Sequence, residues 1–219
     1  MDIFNQISSE IKEFNSTLVL VTKTKSSELI SEYYTMGHRD FGENKVQELL
    51  PKFETLPKDI RWHFIGHLQK NKVKYIAPFV HLIHSVDSLE LLEEINDKAL
   101  KNNRIIDVLL EIKIATEYTK YGLSEIECID LLEHPIQKSF QNIRIIGLMG
   151  MASFIDDAEK IQKEFKSLKI LFDNLKSRFF SDSDDFRELS MGMSGDYKIA
   201  LDCGSTMVRI GSLILGNRQ

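Results

Sequence analysis

Cysteine and basic charge are both scarce in this sequence of 219 residues. The two cysteines, Cys128 and Cys203, are too few for a disulfide framework or a zinc ribbon. Acidic residues outnumber basic ones by 33 to 28, and the net charge of −5 argues against a partner with a phosphate backbone. We therefore expect no nucleic-acid partner.

Long apolar runs are missing as well. The runs are short, as at residues 18–21, so none approaches the roughly 20 residues that span a bilayer. The N-terminus lacks the basic and apolar segments of a signal peptide. These absences predict a cytosolic protein without a membrane partner.

A recurring order of short apolar run, polar turn and helical periodicity is what the sequence does contain. Eight runs have the character of buried strands, at residues 18–22, 39–41, 62–65, 82–86, 107–114, 143–148, 188–191 and 207–210. Helical spacing of apolar residues is clearest from Ser27, from Ser88, where a capped start is predicted, and over Ala158–Phe179. Eight β/α units are the number that closes a barrel.

An open, doubly wound sheet is the alternative fold. Such sheets usually have a glycine-rich loop after the first strand, whereas this chain has the sequence TKTK at 22–25. We therefore predict an α/β fold, a single (β/α)8 TIM barrel formed by one domain over residues 1–219.

Lys23 follows the first predicted strand, at the end of the barrel where active sites form. Partial desolvation lowers the pKa of a lysine there, and the neutral amine can form an imine with an aldehyde. The alternative is a lysine that ends a strand and points to solvent.

The loop after the seventh predicted strand has the sequence MGMSGD at 191–196. Its glycines allow backbone N–H groups to approach an anion, and Ser194 offers a hydroxyl. Gly211 and Ser212 follow the eighth strand, and barrels commonly bind phosphate after strands seven and eight. Ordinary turn chemistry, which also favours glycine and serine, is the alternative.

Arg209 is a single charge among apolar neighbours in the last predicted strand. A buried guanidinium needs a partner, either an acid in a structural salt bridge or the ring nitrogen of a pyridine cofactor. An imine-forming amine, a phosphate cradle and such an arginine are together what pyridoxal 5′-phosphate requires.

The histidine spacing does not indicate a metal site. His63 and His67 are four residues apart, but a strand does not bring such residues together, and no third ligand is near. His81 and His84 are interpreted as surface or hydrogen-bonded groups.

Eight segments together resemble the pyridoxal phosphate homeostasis proteins, the YggS/PROSC family, which is related to the barrel domain of alanine racemase. These segments are VTKTK at 21–25, FGEN at 41–44, WHFIGHLQ at 62–69, SVDS at 85–88, KYGL at 120–123, GLM at 147–149, LSMGMS at 189–194 and GSTMVRIG at 204–211. The resemblance runs nearly from end to end, and it implies a fold-type III barrel that binds pyridoxal phosphate.

The resemblance also implies roles for individual residues. Lys23 is expected to form the aldimine, and Arg209 to face the pyridine nitrogen. The expected phosphate site combines Ser194 with the backbone at Gly211 and Ser212. The remaining site residues are expected in the pocket wall, and they are Asn44, His63 and Met191. One departure is Ser26, which replaces a proline common in the family and is expected to loosen the loop after strand one.

A carrier of the cofactor is the function that this family implies, with no catalytic reaction and with apo-forms of pyridoxal-phosphate enzymes as possible partners. A racemase-like enzyme is the alternative. Related racemases take a second acid or base from an added domain across a dimer, and we expect no such domain because the chain ends at Gln219. A Schiff-base aldolase is disfavoured, since those enzymes usually carry their lysine on a later strand. We expect a monomer that maintains vitamin B6 homeostasis.

Overall fold

Eight parallel strands close into a barrel in the computed structural model, which describes residues 2–115 and 121–216. Each strand pairs with the next one along the chain, and β8 pairs with β1. The strands are β1 Thr17–Val21, β2 Asp40–Glu43, β3 Arg61–Phe64, β4 Leu82–Val86, β5 Ile106–Ile112, β6 Ile143–Gly150, β7 Glu188–Met193 and β8 Met207–Ile210. The predicted (β/α)8 barrel is therefore confirmed.

Helices follow the strands in alternation, with one further helix ahead of β1. They are α1 Asp2–Glu13, α2 Ser27–Thr35, α3 Val46–Thr55, α4 Lys70–Ile76, α5 Leu89–Lys101, α6 Glu125–Glu133, α7 Ala158–Phe179, α8 Tyr197–Asp202 and α9 Ser212–Leu215. A 3₁₀ turn over Pro135–Ser139 precedes β6. In the part of the chain that the structure describes, no helix is long and apolar enough to cross a membrane.

Some of the residues that precede the helices cap them through a side-chain hydrogen bond, and others do not. Ser26 caps α2, and its hydroxyl accepts the backbone N–H of Leu29, so the residue that replaces the family's proline supports the start of the helix. The looser loop stays a prediction. Asp157 caps α7 through the N–H of Lys160. Ser88 is the N-cap residue of α5, so the predicted helix start is confirmed, but its side chain makes no cap hydrogen bond.

Side chains of the strands alternate between two cores. The outer core lies between strands and helices, and it includes Leu18 and Leu20 of β1 and Val208 of β8. A smaller inner cluster fills the barrel, with Val19, Leu82, Leu109, Met149 and Met207. Because successive strand residues point to opposite faces, Arg209 lies on the inner side between two outward-facing neighbours.

The second strand extends beyond its predicted end. The prediction ended at residue 41, whereas β2 continues to Glu43. Gly42 and Glu43 do not resemble strand residues in isolation, but they pair with His63 and Phe64 of β3. Pairing with a neighbouring strand therefore overrides their local preference.

Candidate functional site

A cavity of about 1120 Å³ opens at the C-terminal ends of the strands. It is lined by six of the residues predicted from the sequence: Lys23, Asn44, Ser194, Arg209, Gly211 and Ser212. These residues come from β8 and from the loops after β1, β2, β7 and β8. The barrel brings them together because parallel strands all end on the same side.

The loop that carries Lys23 is held on both sides of that residue. Before it, the carbonyl oxygen of Thr22 accepts a hydrogen bond from Lys52 Nζ at 2.9 Å. After it, Thr24 has a φ of 65° and donates its backbone N–H to Glu48 Oε2 at 2.8 Å. Lys52 and Glu48 both belong to α3, so this helix determines where the backbone of Lys23 lies.

A buried ion pair lies behind this loop. Glu43 Oε1 accepts hydrogen bonds from Lys52 Nζ at 2.7 Å and from Thr22 Oγ1 at 2.6 Å. Burial raises the pKa of Glu43, and the charge and hydrogen bond of Lys52 oppose that rise. Either charge would be destabilising alone in the interior, so the pair attaches α3 to the end of β1. No sequence pattern marked Lys52.

Ser194 and the turn after β8 form an anion-binding geometry. Ser194 Oγ accepts hydrogen bonds from the backbone N–H of Gly211 at 3.3 Å and of Leu213 at 3.4 Å. A Cβ added to Gly211 would lie 2.9 Å from the carbonyl oxygen of Val21, so this turn has no room for a side chain. Convergent backbone N–H groups beside a hydroxyl fit a phosphate group.

Arg209 is buried against the cavity. Its Nη1 donates to the carbonyl oxygen and to Oγ of Ser190, at 2.9 and 2.6 Å, and its Nη2 donates to the carbonyl oxygen of Gly150 at 3.1 Å. Burial lowers the pKa of Arg209 to about 10, against the opposing charges of Asp196 and Glu111. The guanidinium is therefore charged at neutral pH, and these acceptors are neutral oxygens, which a structural salt bridge does not explain.

Asn44 lines the cavity just after β2. Its Oδ1 is buried and has no hydrogen-bond partner within residues 2–115 and 121–216. A buried amide oxygen without a partner is destabilising, so this atom fits a site that a polar ligand completes. The orphaned oxygen, the turn at Gly211 and the donors around Ser194 all fit a phosphorylated ring compound.

His63 does not line the cavity, so its interpretation as a pocket-wall residue is wrong. The ring lies deeper in the barrel, within hydrogen-bond distance of His84 and Asp40. The ring points toward Asp40 at the start of β2, and therefore away from the cavity at the other end of the barrel.

Met191 does not line the cavity either, and the same correction applies. It belongs to the outer core, because its neighbour Ser190 points into the barrel and strand residues alternate. The register shifts between Ser190 and Met193, and Gly192 has a φ of 95°. This irregularity turns Met193 into the cavity wall in place of Met191.

Glu111 of β5 is a cavity residue that the sequence reading missed. It is only 3% exposed. Burial raises its pKa to about 7, Asp87 adds to the rise and Arg209 opposes it. A signal was present, because Glu111 is flanked by apolar residues on both sides in its strand, as Arg209 is.

The cavity lining includes three further rings, those of His67, Tyr121 and Phe154. The rings of His67 and Tyr121 stack with centroids 3.9 Å apart, and Phe154 is 93% exposed. Lys120, in the KYGL segment, lies outside the described residues. Across the two described ranges, no group of three or more side chains is arranged to hold a metal ion.

Comparison with known proteins identifies the class of this barrel. The family described as "Alanine racemase, N-terminal domain" matches residues 4–219. The structure of PipY from Synechococcus elongatus PCC7942 without PLP has a TM-score of 0.91 at 30% identity, covering 98% of this chain and 99% of that one. PipY with PLP bound has a TM-score of 0.85, also at 30% identity, covering 98% and 100%. The fold is thus that of the alanine racemase N-terminal barrel class.

Two named relatives narrow the class to a family. The pyridoxal phosphate homeostasis protein of Aquifex aeolicus is 40% identical over 203 residues, which cover 92% of this chain and 87% of that protein. The human protein of the same name is 39% identical over 212 residues, covering 92% and 76%. The chain belongs to the pyridoxal phosphate homeostasis protein family. An alanine racemase of Clostridium difficile, with a TM-score of 0.75 and 15% identity, covering 99% of this chain and 56% of that one, shares the fold alone.

Proposed function

We propose that this chain holds pyridoxal 5′-phosphate as a Schiff base on Lys23 and maintains vitamin B6 homeostasis as a carrier without catalysing a reaction. The observation that carries the proposal is the convergence in one cavity of a lysine, a backbone-and-hydroxyl cradle and a buried arginine. The relatives support it, because they are named pyridoxal phosphate homeostasis proteins and PipY has a structure with PLP bound.

Each group in the cavity has a role that its chemistry supports. The amine of Lys23 would hold the cofactor by its aldehyde carbon, and the cofactor would supply a carbon–nitrogen double bond that water can hydrolyse, so the cofactor would be released unchanged. Ser194, with the backbone at Gly211 and Ser212, holds the phosphate. Asn44 offers its orphaned oxygen to a donor on the ligand.

The charge of Arg209 favours binding of the cofactor over catalysis with it. A guanidinium facing the pyridine nitrogen keeps that nitrogen unprotonated, and an unprotonated ring is a weaker electron sink. Carbanion chemistry on a bound amino acid is correspondingly disfavoured. The charge of Arg209 thus supports a carrier over an enzyme.

A racemase-like enzyme is the second candidate, and one observation favours it. Glu111 lines the same cavity, and its pKa of about 7 is where a carboxyl group exchanges protons most readily. Incubation with L-alanine in deuterated water separates the two candidates. Exchange of the α-proton that Glu111→Gln abolishes supports the enzyme, whereas the carrier predicts no exchange beyond that of free pyridoxal phosphate.

The Schiff base is tested on the purified chain incubated with pyridoxal phosphate. Borohydride reduction followed by peptide mass spectrometry should find the cofactor on Lys23. Lys23→Ala should lose the absorption band of the bound imine, and Lys25→Ala, at a neighbouring lysine of the same cavity, should keep it. A label on Lys25, or an unchanged band in Lys23→Ala, would contradict the assignment.

Delivery is tested by mixing the loaded chain with the apo-form of a pyridoxal-phosphate enzyme. The carrier predicts that the enzyme regains activity, and that prior borohydride reduction of the loaded chain prevents it. Failure of the unreduced chain to restore activity would count against delivery. The apo-enzyme partners, the monomeric state, the cytosolic location and the single domain over residues 1–219 stay predictions.

A further inference from the structure

A row of buried polar side chains crosses the barrel below the cavity. Arg209 Nη1 donates to Ser190 Oγ at 2.6 Å, and that oxygen lies 3.0 Å from His84 Nδ1. His84 Nε2 lies 3.0 Å from His63 Nδ1, and His63 Nε2 lies 3.1 Å from Asp40 Oδ1. β4 and β7 are not neighbours in the barrel, so the contact between His84 and Ser190 spans its interior. The row links five strands.

Charges at the two ends determine which atoms donate. A guanidinium has donors only, so Arg209 must give its hydrogen to Ser190. Burial opposes the ionisation of Asp40, but hydrogen bonds from Arg61 and His63 hold its pKa well below the ordinary range. Asp40 is therefore a carboxylate and can only accept. The row begins at a donor and ends at an acceptor.

The two histidines then have defined tautomers. His63 carries its hydrogen on Nε2, toward Asp40, and its bare Nδ1 accepts from His84 Nε2. His84 Nδ1 is then bare as well and accepts the hydroxyl hydrogen of Ser190. Burial and the charge of Arg209 hold the pKa of His84 well below its ordinary value. In this arrangement each ring carries one hydrogen, and every hydrogen bond runs in the same direction, from Arg209 to Asp40.

We propose that Ser190, His84, His63 and Asp40 form a relay of positioning residues that orients Arg209 toward the ring nitrogen of the cofactor. The proposal rests on the proposed function for the identity of that ligand. Arg209 cannot rotate without breaking the bond to Ser190, and the ordered row prevents Ser190 from turning away.

The relay also connects the cofactor cavity with the opposite end of the barrel. Asp40 and Arg61 begin β2 and β3, and the side chain of Arg61 is 48% exposed. Arg61 holds Asp40 through Nε and Nη2, at 2.6 and 2.5 Å. The buried charge of Arg209 is thus linked through neutral groups to the negative charge of Asp40.

The first test needs no cofactor. Two-bond ¹H–¹⁵N spectra of the full chain with labelled histidine report which ring nitrogen carries hydrogen. The relay predicts that His63 and His84 both carry it on Nε2 and are neutral at pH 7. A charged ring, or hydrogen on Nδ1 of either residue, would overturn the relay whether or not pyridoxal phosphate binds.

The second test reads the relay at the cavity. Ser190→Ala should alter the ¹⁵N signal of His84 Nδ1, shift the absorption band of bound pyridoxal phosphate and weaken its binding by roughly three- to tenfold. Ser85→Ala is the matched control, because Ser85 is equally buried beside His84 but its hydroxyl has no partner among the described residues. That variant should keep the wild-type band and affinity.

An unchanged band and affinity in Ser190→Ala, with the wild-type protein binding cofactor normally, would overturn the positioning role alone. If instead the wild-type protein bound no pyridoxal phosphate while its histidine spectra matched the prediction, the relay would stand. In that case the proposed function would be wrong. The relay and the proposed function can therefore be contradicted independently of each other.

Discussion

Lys52 and Arg209 are both buried cations, but they meet opposite kinds of partner. Lys52 Nζ lies 2.7 Å from the carboxylate of Glu43, in an ion pair between α3 and β2. Arg209 donates to oxygens of Ser190 and Gly150, which carry no charge. A cation neutralised by a carboxylate has little field left for a ligand, whereas one held by neutral dipoles keeps its field available.

This difference separates a structural region from a binding region. The pair of Lys52 and Glu43 lies behind the cavity and attaches a helix to the strand end that carries Lys23. Arg209 lines the cavity itself. Burial of a charge is therefore not by itself a sign of function in this protein, and the nature of the partner decides which role it has.

The largest expected loss of stability is that of Lys52→Met, which tests the structural role of the buried ion pair. Lys52→Met leaves Glu43 without its cation, and breaking a buried pair costs about 3–5 kcal/mol of unfolding free energy. Urea unfolding at neutral pH without ligand measures the change. The control is Lys45→Met, since Lys45 is an exposed lysine that pairs with Glu48 at 3.5 Å, and it should change stability by less than about 0.5 kcal/mol. Equal effects of the two substitutions would contradict a structural role for Lys52.

A smaller, pH-dependent change in stability is expected at Glu111, which lines the cavity together with Arg209. The pKa of Glu111 is about 7 in the folded chain, against an ordinary value of 4.5. The folded chain keeps this proton while the unfolded chain releases it, so the contribution of Glu111 to stability falls as pH rises through that window. Glu111→Gln should match the wild type below about pH 5 and be up to about 3 kcal/mol more stable near pH 8.

Chemical unfolding of both proteins at the two pH values, without cofactor, measures this difference. Glu125→Gln is the control, because Glu125 is exposed at the start of α6 and its loss should not change the pH profile. A pH-independent effect of Glu111→Gln would mean that Glu111 is ionised throughout and belongs with the paired charges.

The smallest expected change in stability is that of Arg209→Met. Removing the guanidinium leaves carbonyl and hydroxyl oxygens without a donor. It leaves no carboxylate unpaired at hydrogen-bond distance, so the free energy of unfolding should fall by only about 1–2 kcal/mol. The same urea unfolding measures it beside Lys52→Met. If Arg209→Met lowered the free energy of unfolding as much as Lys52→Met does, Arg209 would be a structural residue like Lys52, and the proposed difference between the two cations would be wrong.

The strands were the easiest part of the fold to predict from sequence. Apolar runs between polar turns predicted all eight, and the bounds of β4 and β8 agree with the structure residue for residue. β2 was shortened in the prediction, because Gly42 and Glu43 extend it only through their pairing with β3. The local sequence pattern indicates which residues favour a strand, whereas the residue at which a strand ends depends on its pairing with the neighbouring strand.

Site residues with a local signal were found, and those defined by contacts were not. Lys23 ends an apolar run, and Arg209 interrupts one, so both stand out in a linear reading. The motifs of His63 and Met191 predict the pocket wall, but Met191 faces the outer core and the ring of His63 points toward Asp40. Lys52 has no local signal, since its partner Glu43 lies nine residues away in a different element.

The sequence by itself determined the barrel, its eight strands and the family to which the chain belongs, because apolar periodicity and motif order are properties of the linear chain. Only the tertiary structure decided which charges are paired and which face the cavity. His84 and Ser190 are separated by 106 residues and meet only because the closed barrel brings β4 and β7 together across its interior. Contacts of this kind depend on register and closure, which no local pattern contains.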